Sequence, residues 1–269
     1  MSRDTQQIID ALIIDMDGVL WREATPIGNL ERVFRLINEM GLKFTLATNN
    51  STKTVSEYLS KLASFGVEVQ PNQIITSSEA AASYLIGRYP PKSVVFAVGE
   101  PALEQVLAES GFEISDEDVE IVVAGMDRLV TYAKLRTATL FIRSGAAFVA
   151  TNADRTFPTP EGLVPGAGSI LAALLAATDV EPVVVGKPST YMYEEAMNRM
   201  GINPQRTLVI GDRLETDIAG GQRLDCQTAL MLSGVSELTQ ARVWSPEPDW
   251  ICQDITQLLL AMRERHNGT

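Results

Sequence analysis

The sequence predicts an α/β protein built on a parallel sheet, with a second α/β segment inserted into it. Three observations carry this. Short β-branched or apolar runs alternate with stretches of helical periodicity along nearly the whole chain. Polar, chemistry-bearing residues sit directly after several of those runs, where ligands of open parallel sheets gather. A stretch of about a hundred residues with its own strand and helix alternation, residues 80–182, separates the first set of such residues from the last.

The first strand is Ala11 to Ile14, apolar throughout as expected for a strand buried on both faces. It ends in Asp15-Met16-Asp17-Gly18. Residues two apart on a strand point the same way, so both carboxylates emerge where the chain turns at Gly18, and such a pair calls for a cation or a shared proton. A short connection from Trp21 to Pro26 follows, then a helix with Leu30, Val33, Phe34 and Ile37 on one face and Gly41 as its left-handed stop. Lys43 to Thr48 is the second strand, ending in Thr48-Asn49-Asn50-Ser51. A helix from about Thr52 to Phe65, a short strand at Ile74 and Ile75, and a helix capped by Ser77 or Ser78 continue the alternation.

In the inserted segment, strands are expected at Val94 to Val98, Glu120 to Ala124 and Ala147 to Thr151. Helices are expected at Pro101 to Ser110, Thr131 to Ser144 and Ala167 to Ala177. The stretch from Phe157 to Gly166, dense in proline and glycine, reads as a long loop. After Pro182 the first pattern resumes: strand Val183 to Val185, Gly186-Lys187-Pro188-Ser189, and a helix to Met200 closed by Gly201. Strand Thr207 to Ile210 then ends in Gly211-Asp212, followed by a helix to about Arg223, strand Thr228 to Leu232 and a last helix ending near Arg263. The expected division is residues 1–79 with 183–269 as a discontinuous core, and 80–182 as the insertion.

Composition narrows the chemistry. A net charge of −12 with no local basic patch argues against nucleic acid or an anionic membrane as partner. The polar start, Met1 to Gln7, carries no signal region, and no apolar run reaches eighteen residues; a cytoplasmic protein is expected. Cys226 and Cys252 lack metal or redox spacing and fit a reducing compartment as thiols. The one histidine, His266, lies in a polar tail, so Ser-His and Cys-His catalysis and His-rich zinc sites drop out. Gly186-Lys187-Pro188-Ser189-Thr190 lacks the leading glycine of a P-loop, and Gly166-Ala167-Gly168 lacks the third glycine of a dinucleotide fingerprint. The Leu171 to Leu175 stripe and Met192, Met197 and Met200 read as core packing.

Four strand ends thus gather polar groups: Asp15 and Asp17, Thr48 and Asn49, Lys187, and Asp212. Three carboxylates suit a hard divalent cation such as Mg²⁺. A hydroxyl, a lysine and turn amides suit a phosphate. Together they describe a phosphoryl-transfer site.

Asp15-Met16-Asp17-Gly18-Val19, Thr48, Lys187 and Gly211-Asp212-Arg213-Leu214-Glu215-Thr216-Asp217, in this order, resemble the four motifs of the haloacid dehalogenase superfamily. Leu46 to Ser51, Ile75 to Ser78, Thr151-Asn152-Ala153-Asp154, Pro165 to Gly168 and Gly186-Lys187-Pro188 further resemble its NagD-like, 4-nitrophenylphosphatase-type branch. The resemblance implies a Rossmann-like core with an inserted α/β cap and a Mg²⁺-dependent phosphatase acting through an aspartyl-phosphate. It makes Asp15 the nucleophile and Asp17 the general acid and then base, which must therefore carry a proton in the first step. It gives the carboxylates of Asp15 and Asp212 and the backbone carbonyl of Asp17 to the metal, and Thr48, Asn49 and Lys187 to the phosphate. Asp217 would orient metal-bound waters or Lys187. The cap would exclude water and read the leaving group, with Asp127, Arg128, Thr151, Asn152 and Asp154 as candidate contacts. Implied substrates are small phosphate esters: 4-nitrophenyl phosphate, sugar phosphates, nucleoside monophosphates, phosphoglycolate and pyridoxal phosphate. Related caps can mediate homodimers. The rival from another class is a phospho-acceptor signalling module of receiver type; Asp17 beside the nucleophile and the hundred-residue insertion both argue against it.

Overall fold

The structure, a computed structural model, describes residues 8–159 and 161–267. The polar stretch Met1 to Gln7, Pro160 of the expected loop, and Gly268 and Thr269 of the tail lie outside the described residues. The chain divides into two compact units, one comprising residues 8–48, 58–75 and 193–267 and the other residues 49–57 and 76–192.

In the first unit a six-stranded sheet runs in the order Trp250–Cys252, Gln227–Met231, Thr207–Gly211, Ala11–Ile14, Lys43–Thr48, Ile74–Thr76. Ala11–Ile14 is central because all four side chains are apolar and wholly buried. It pairs in parallel on both sides, Ile14 standing between Leu46 and Ile210. That register brings the ends of three strands together. The first helix, Leu30–Glu39, starts on Asn29, whose side chain accepts from the Arg32 amide at 2.9 Å, and buries Leu30, Val33, Phe34, Leu36 and Ile37. Gly41, at φ +64°, ends it as the sequence predicts. The last helix, Ile255–Asn267, packs on this one.

The second unit has its own five-stranded sheet, ordered Val183–Val184, Ala147–Ala150, Ile121–Ala124, Val94–Val98, Glu113–Ile114, every neighbour parallel. Val98, Val122, Ala124, Phe148 and Ala150 pack with Ile170, Leu171 and Leu174 of helix Ala167–Thr178 and with Ala138 and Ile142 of helix Tyr132–Arg143. Leu171 and Leu174 are core, as expected, and so are Met192, Met197 and Met200.

Two expectations are corrected. Val183–Val184 does not return to the first sheet: it pairs with Val149 and Ala150 and forms an edge of the second. Two valines beside a strand of the same type are enough to dock. The second unit runs from Thr76 to Met192 and takes in residues 49–57, and helix Ser77–Ile86 packs on helix Pro101–Glu109. Lastly, the stretch read as a loop contains an antiparallel hairpin, Thr156–Thr159 with Gly162–Pro165. Its prolines obscured the alternation that a hairpin shows in sequence. No helix among the described residues is long and apolar enough to cross a membrane.

Candidate active site

Asp15 follows the central strand directly, its amide donating to the Ile210 carbonyl at 2.8 Å, so the sheet itself fixes its backbone. Asp212 leaves the neighbouring strand Thr207–Gly211. Its Oδ2 accepts from the Val235 amide at 2.8 Å and its carbonyl from the Ser236 amide at 3.0 Å. Asp217 arrives by another route. Residues Leu214–Ile218 form a π-helical turn in which the amides of Asp217 and Ile218 both donate to the Arg213 carbonyl, at 3.0 and 3.2 Å. Such single wide turns recur at functional sites because they re-aim a side chain without ending the helix. Here the turn carries the Asp217 carboxylate back to accept from the Arg213 amide and the Thr216 hydroxyl, each at 3.2 Å.

The result is one group of three buried carboxylates, Asp15, Asp212 and Asp217, with an oxygen from each within 4.8 Å of the others. Three like charges out of water repel strongly and are held together only by a cation or by protons. An all-oxygen donor set of this kind fits a small hard divalent cation, which takes carboxylates and keeps several waters. Asp217, expected only to orient neighbours, thus stands among the carboxylates that could ligate. The Asp17 side chain lies outside the group: it is exposed and accepts from the Trp21 indole Nε1 at 2.8 Å.

Glycines make room for this arrangement. At Gly18 the backbone has φ +84°, and a Cβ there would overlap the Asp212 carboxylate. A Cβ on Gly234, past the end of the neighbouring parallel strand Gln227–Met231, would strike the same carboxylate. The turn from Ser233 to Ser236 is a part of the site that sequence reasoning missed. Ser233 Oγ donates to the Gly18 carbonyl at 2.7 Å, and the Ser233 carbonyl accepts from Arg22 Nε at 2.6 Å. The only signal for it was Ser233-Gly234 directly after a predicted strand. Replacing Gly234 with alanine is expected to displace Asp212, lowering stability by about 1–3 kcal/mol and weakening divalent-metal binding, as read by thermal melts with and without metal.

Tyr193 was also unforeseen. It is wholly buried, its hydroxyl donates to the Thr216 carbonyl at 3.1 Å, and its ring fills the space that a Cβ on Gly220 would need. It braces the π-helical turn from behind. Burial first, and then the charges of Asp217 and Asp15, push its phenol well above the usual range, so it remains a donor. Both cysteines are buried and free; burial, reinforced by Asp225, pushes the Cys226 thiol up to about 12, and burial raises Cys252.

Thr48 ends its strand buried. In the second unit the structure brings together Asn49, Asn152, Asp154 and Lys187. Asn49 clamps the Lys187 backbone from both sides: its Oδ1 accepts from the Lys187 amide at 2.8 Å and its Nδ2 donates to the Lys187 carbonyl at 2.9 Å. The second hydrogen on Nδ2 faces the Asp154 carboxylate at 3.2 and 3.3 Å. The Asn49 carbonyl in turn accepts from Ser77 Oγ at 2.6 Å and Asn152 Nδ2 at 2.7 Å. The Asn49 carboxamide thus holds the backbone of Lys187, which is itself buried. Asp127 and Arg128 are not part of this cluster. Arg128 forms a two-pronged pair with Glu100, at 2.6 and 2.7 Å, which holds the Glu100 carboxyl below its usual range. Asp127 pairs with Lys134 at 2.7 Å.

Comparison with known proteins agrees with this geometry. Residues 12–113 match the model of the haloacid dehalogenase-like hydrolases, and residues 184–258 match a second, HAD-hydrolase-like model. The 5'-nucleotidase YutF of Bacillus subtilis is 35% identical over 84% of this chain and 88% of its own length. Dihydroxyacetone phosphatase of Corynebacterium glutamicum is 33% identical over 91% and 89%. Among solved structures, the p-nitrophenyl phosphatase of Archaeoglobus fulgidus superposes with a TM-score of 0.90 at 33% identity, covering 94% of this chain and 99% of its own. NagD of E. coli K-12 superposes at 0.86 with 32% identity, over 93% and 98%. A glycerol phosphate phosphatase of Mycobacterium tuberculosis, solved in complex with magnesium, superposes at 0.86 with 33% identity, over 94% and 77%. The chain belongs to the haloacid dehalogenase-like hydrolases, in the branch of NagD and the 4-nitrophenylphosphatases.

Proposed function

We propose that this protein is a Mg²⁺-dependent phosphatase of small phosphate monoesters, working through an aspartyl-phosphate on Asp15. The observation that carries the proposal is the group of buried carboxylates around a strand-end aspartate, with the side chain of Asp17 two residues on and outside that group.

In the first half-reaction a carboxylate oxygen of Asp15 attacks phosphorus, the bond from phosphorus to the leaving oxygen breaks, and Asp17 gives that oxygen its proton. In the second, water attacks the phosphorus of the aspartyl-phosphate, Asp17 takes a proton from the water, and the Asp15 carboxylate is released with inorganic phosphate. Asp15, Asp212 and the backbone carbonyl of Asp17 would hold Mg²⁺, with Asp217 ligating or orienting its waters. The cation supplies charge compensation for the transferring group. Thr48 and Lys187 are assigned to the phosphoryl oxygens by the order of the family motifs. The Asn49 side chain holds the Lys187 backbone.

The names of the relatives point to nucleotides, dihydroxyacetone phosphate, 4-nitrophenyl phosphate and glycerol phosphate, so a small ester is the class supported here. Asp127, Arg128, Asn152 and Asp154 are the candidates for reading the leaving group. Steady-state phosphate release from a panel of these esters with Mg²⁺ tests the proposal; absence of turnover across the panel would overturn it. Asn49→Ala is expected to raise KM about tenfold by freeing both backbone groups of Lys187, a loss of about 1.4 kcal/mol checked by initial-rate kinetics.

A further inference from the structure

Trp21 was read in the sequence only as part of a connection, yet its side chain is wholly buried while its one polar atom meets an exposed carboxylate. Indole nitrogen is a donor without acceptor capacity, and a buried tryptophan needs a partner for it. That partner is Asp17 Oδ1, at 2.8 Å. The contact is built from several directions. The Gly18 amide donates to the Trp21 carbonyl at 2.7 Å and the Trp21 amide to the Met16 carbonyl at 3.3 Å, which closes the chain into a tight turn around Gly18. Trp21–Arg22 pairs with Thr25–Pro26 as a short hairpin, so the backbone cannot swing away. The ring stacks on Tyr58 at 6.4 Å and 16° and tilts against Phe65 at 6.1 Å, and Lys61 Nζ stands 3.9 Å over its face while donating to the Glu23 carbonyl at 2.7 Å. A ring held on these sides offers its N–H in one direction only.

We infer that Trp21 is a positioning residue for the proton-transferring carboxyl of Asp17: it fixes the group through Oδ1 and reserves Oδ2 for the leaving oxygen and, later, the water. The inference rests on the reading of Asp17 as general acid and base. A donor-only partner suits a group that works in both directions. Oδ1 accepts from the indole whether or not Oδ2 carries a proton, so the contact need not break between the two half-reactions. A protonated Oδ1 is a poorer acceptor for the indole N–H than a bare one, so the contact favours the transferable proton on Oδ2. From there it passes to the leaving oxygen as the Asp15–phosphorus bond forms and the ester bond breaks.

The test uses the leaving group, because kcat/KM reports the phosphorylation half-reaction. A 4-nitrophenolate leaves without a proton, whereas the alkoxide of glycerol phosphate does not. Trp21→Phe, which keeps a ring in the stack and removes the N–H, is expected to lower kcat/KM about tenfold or more for glycerol phosphate and no more than about threefold for 4-nitrophenyl phosphate. Asp17→Asn should show the same asymmetry, larger. Phe65→Leu, which loosens the packing around the indole and leaves its N–H, should lower the melting temperature and keep the parent ratio of the two esters. If Trp21→Phe does not fold, the sulfur isostere benzothienylalanine at position 21 removes the N–H at nearly constant shape and is read in the same way. Equal losses on both esters, or an equal shift in ratio from Phe65→Leu, would overturn the role of Trp21 while Asp17→Asn remained asymmetric. A symmetric loss in Asp17→Asn would overturn the reading of Asp17 itself, and the inference with it.

Discussion

Asp15→Asn abolishes turnover and leaves the fold in place: a fall in kcat of about a thousandfold or more, with a circular-dichroism spectrum matching the parent. An amide oxygen is a poor nucleophile toward phosphorus and a weaker ligand for a hard cation, so one substitution removes both contributions of this side chain. The fold is expected to survive because Asp15 is held through its backbone, by the sheet hydrogen bond to Ile210, while the strand before it is a run of buried apolar residues that the change does not touch. The substitution also removes one of three mutually repelling buried charges. In the absence of divalent metal, the variant should therefore melt no lower than the parent by more than a few degrees. Residual turnover near the parent rate would remove Asp15 from the role assigned to it.

Removing the metal is the second large effect. EDTA is expected to reduce activity to background and excess Mg²⁺ to restore it, since Asp15, Asp212 and Asp217 are positioned to share a cation and no histidine or cysteine lies among them. The same treatment should show in stability. A cation that binds the folded carboxylates and not the unfolded chain raises the melting temperature with its concentration, by about 2.7 kcal/mol at a hundred times its dissociation constant. Asp212→Asn should blunt both responses. Hydrolysis that persists undiminished in EDTA would contradict the metal role of these carboxylates.

Much of the site was legible because strand ends write themselves plainly. Ala11 to Ile14 followed by Asp15, and Thr207 to Ile210 followed by Gly211-Asp212, need only the period of a buried strand to place these two carboxylates side by side. Other parts depend on contacts that no short-range pattern carries. The π-helical turn at Leu214–Ile218 reads as ordinary helix, so the sequence pattern does not show the Asp217 carboxylate beside those of Asp15 and Asp212. Gly234 looks like any turn glycine until Asp212 is seen against it, and Trp21 like a linker residue until its indole is seen on Asp17. Val183–Val184 was assigned to the wrong sheet for a similar reason: two valines contain no information about which edge they join. In the sequence Asn49 is only the residue after Thr48. Its commitment to Lys187, more than a hundred residues on, is a tertiary fact.

The most direct test of the central claim is to quench the protein in acid while it turns over a labelled phosphate monoester with Mg²⁺, and to map the label. The account predicts steady release of phosphate together with a small, acid-stable and hydroxylamine-labile fraction of label on Asp15. Stable stoichiometric labelling without turnover would instead mark a phospho-acceptor switch, and turnover with no label on Asp15 would contradict the covalent route.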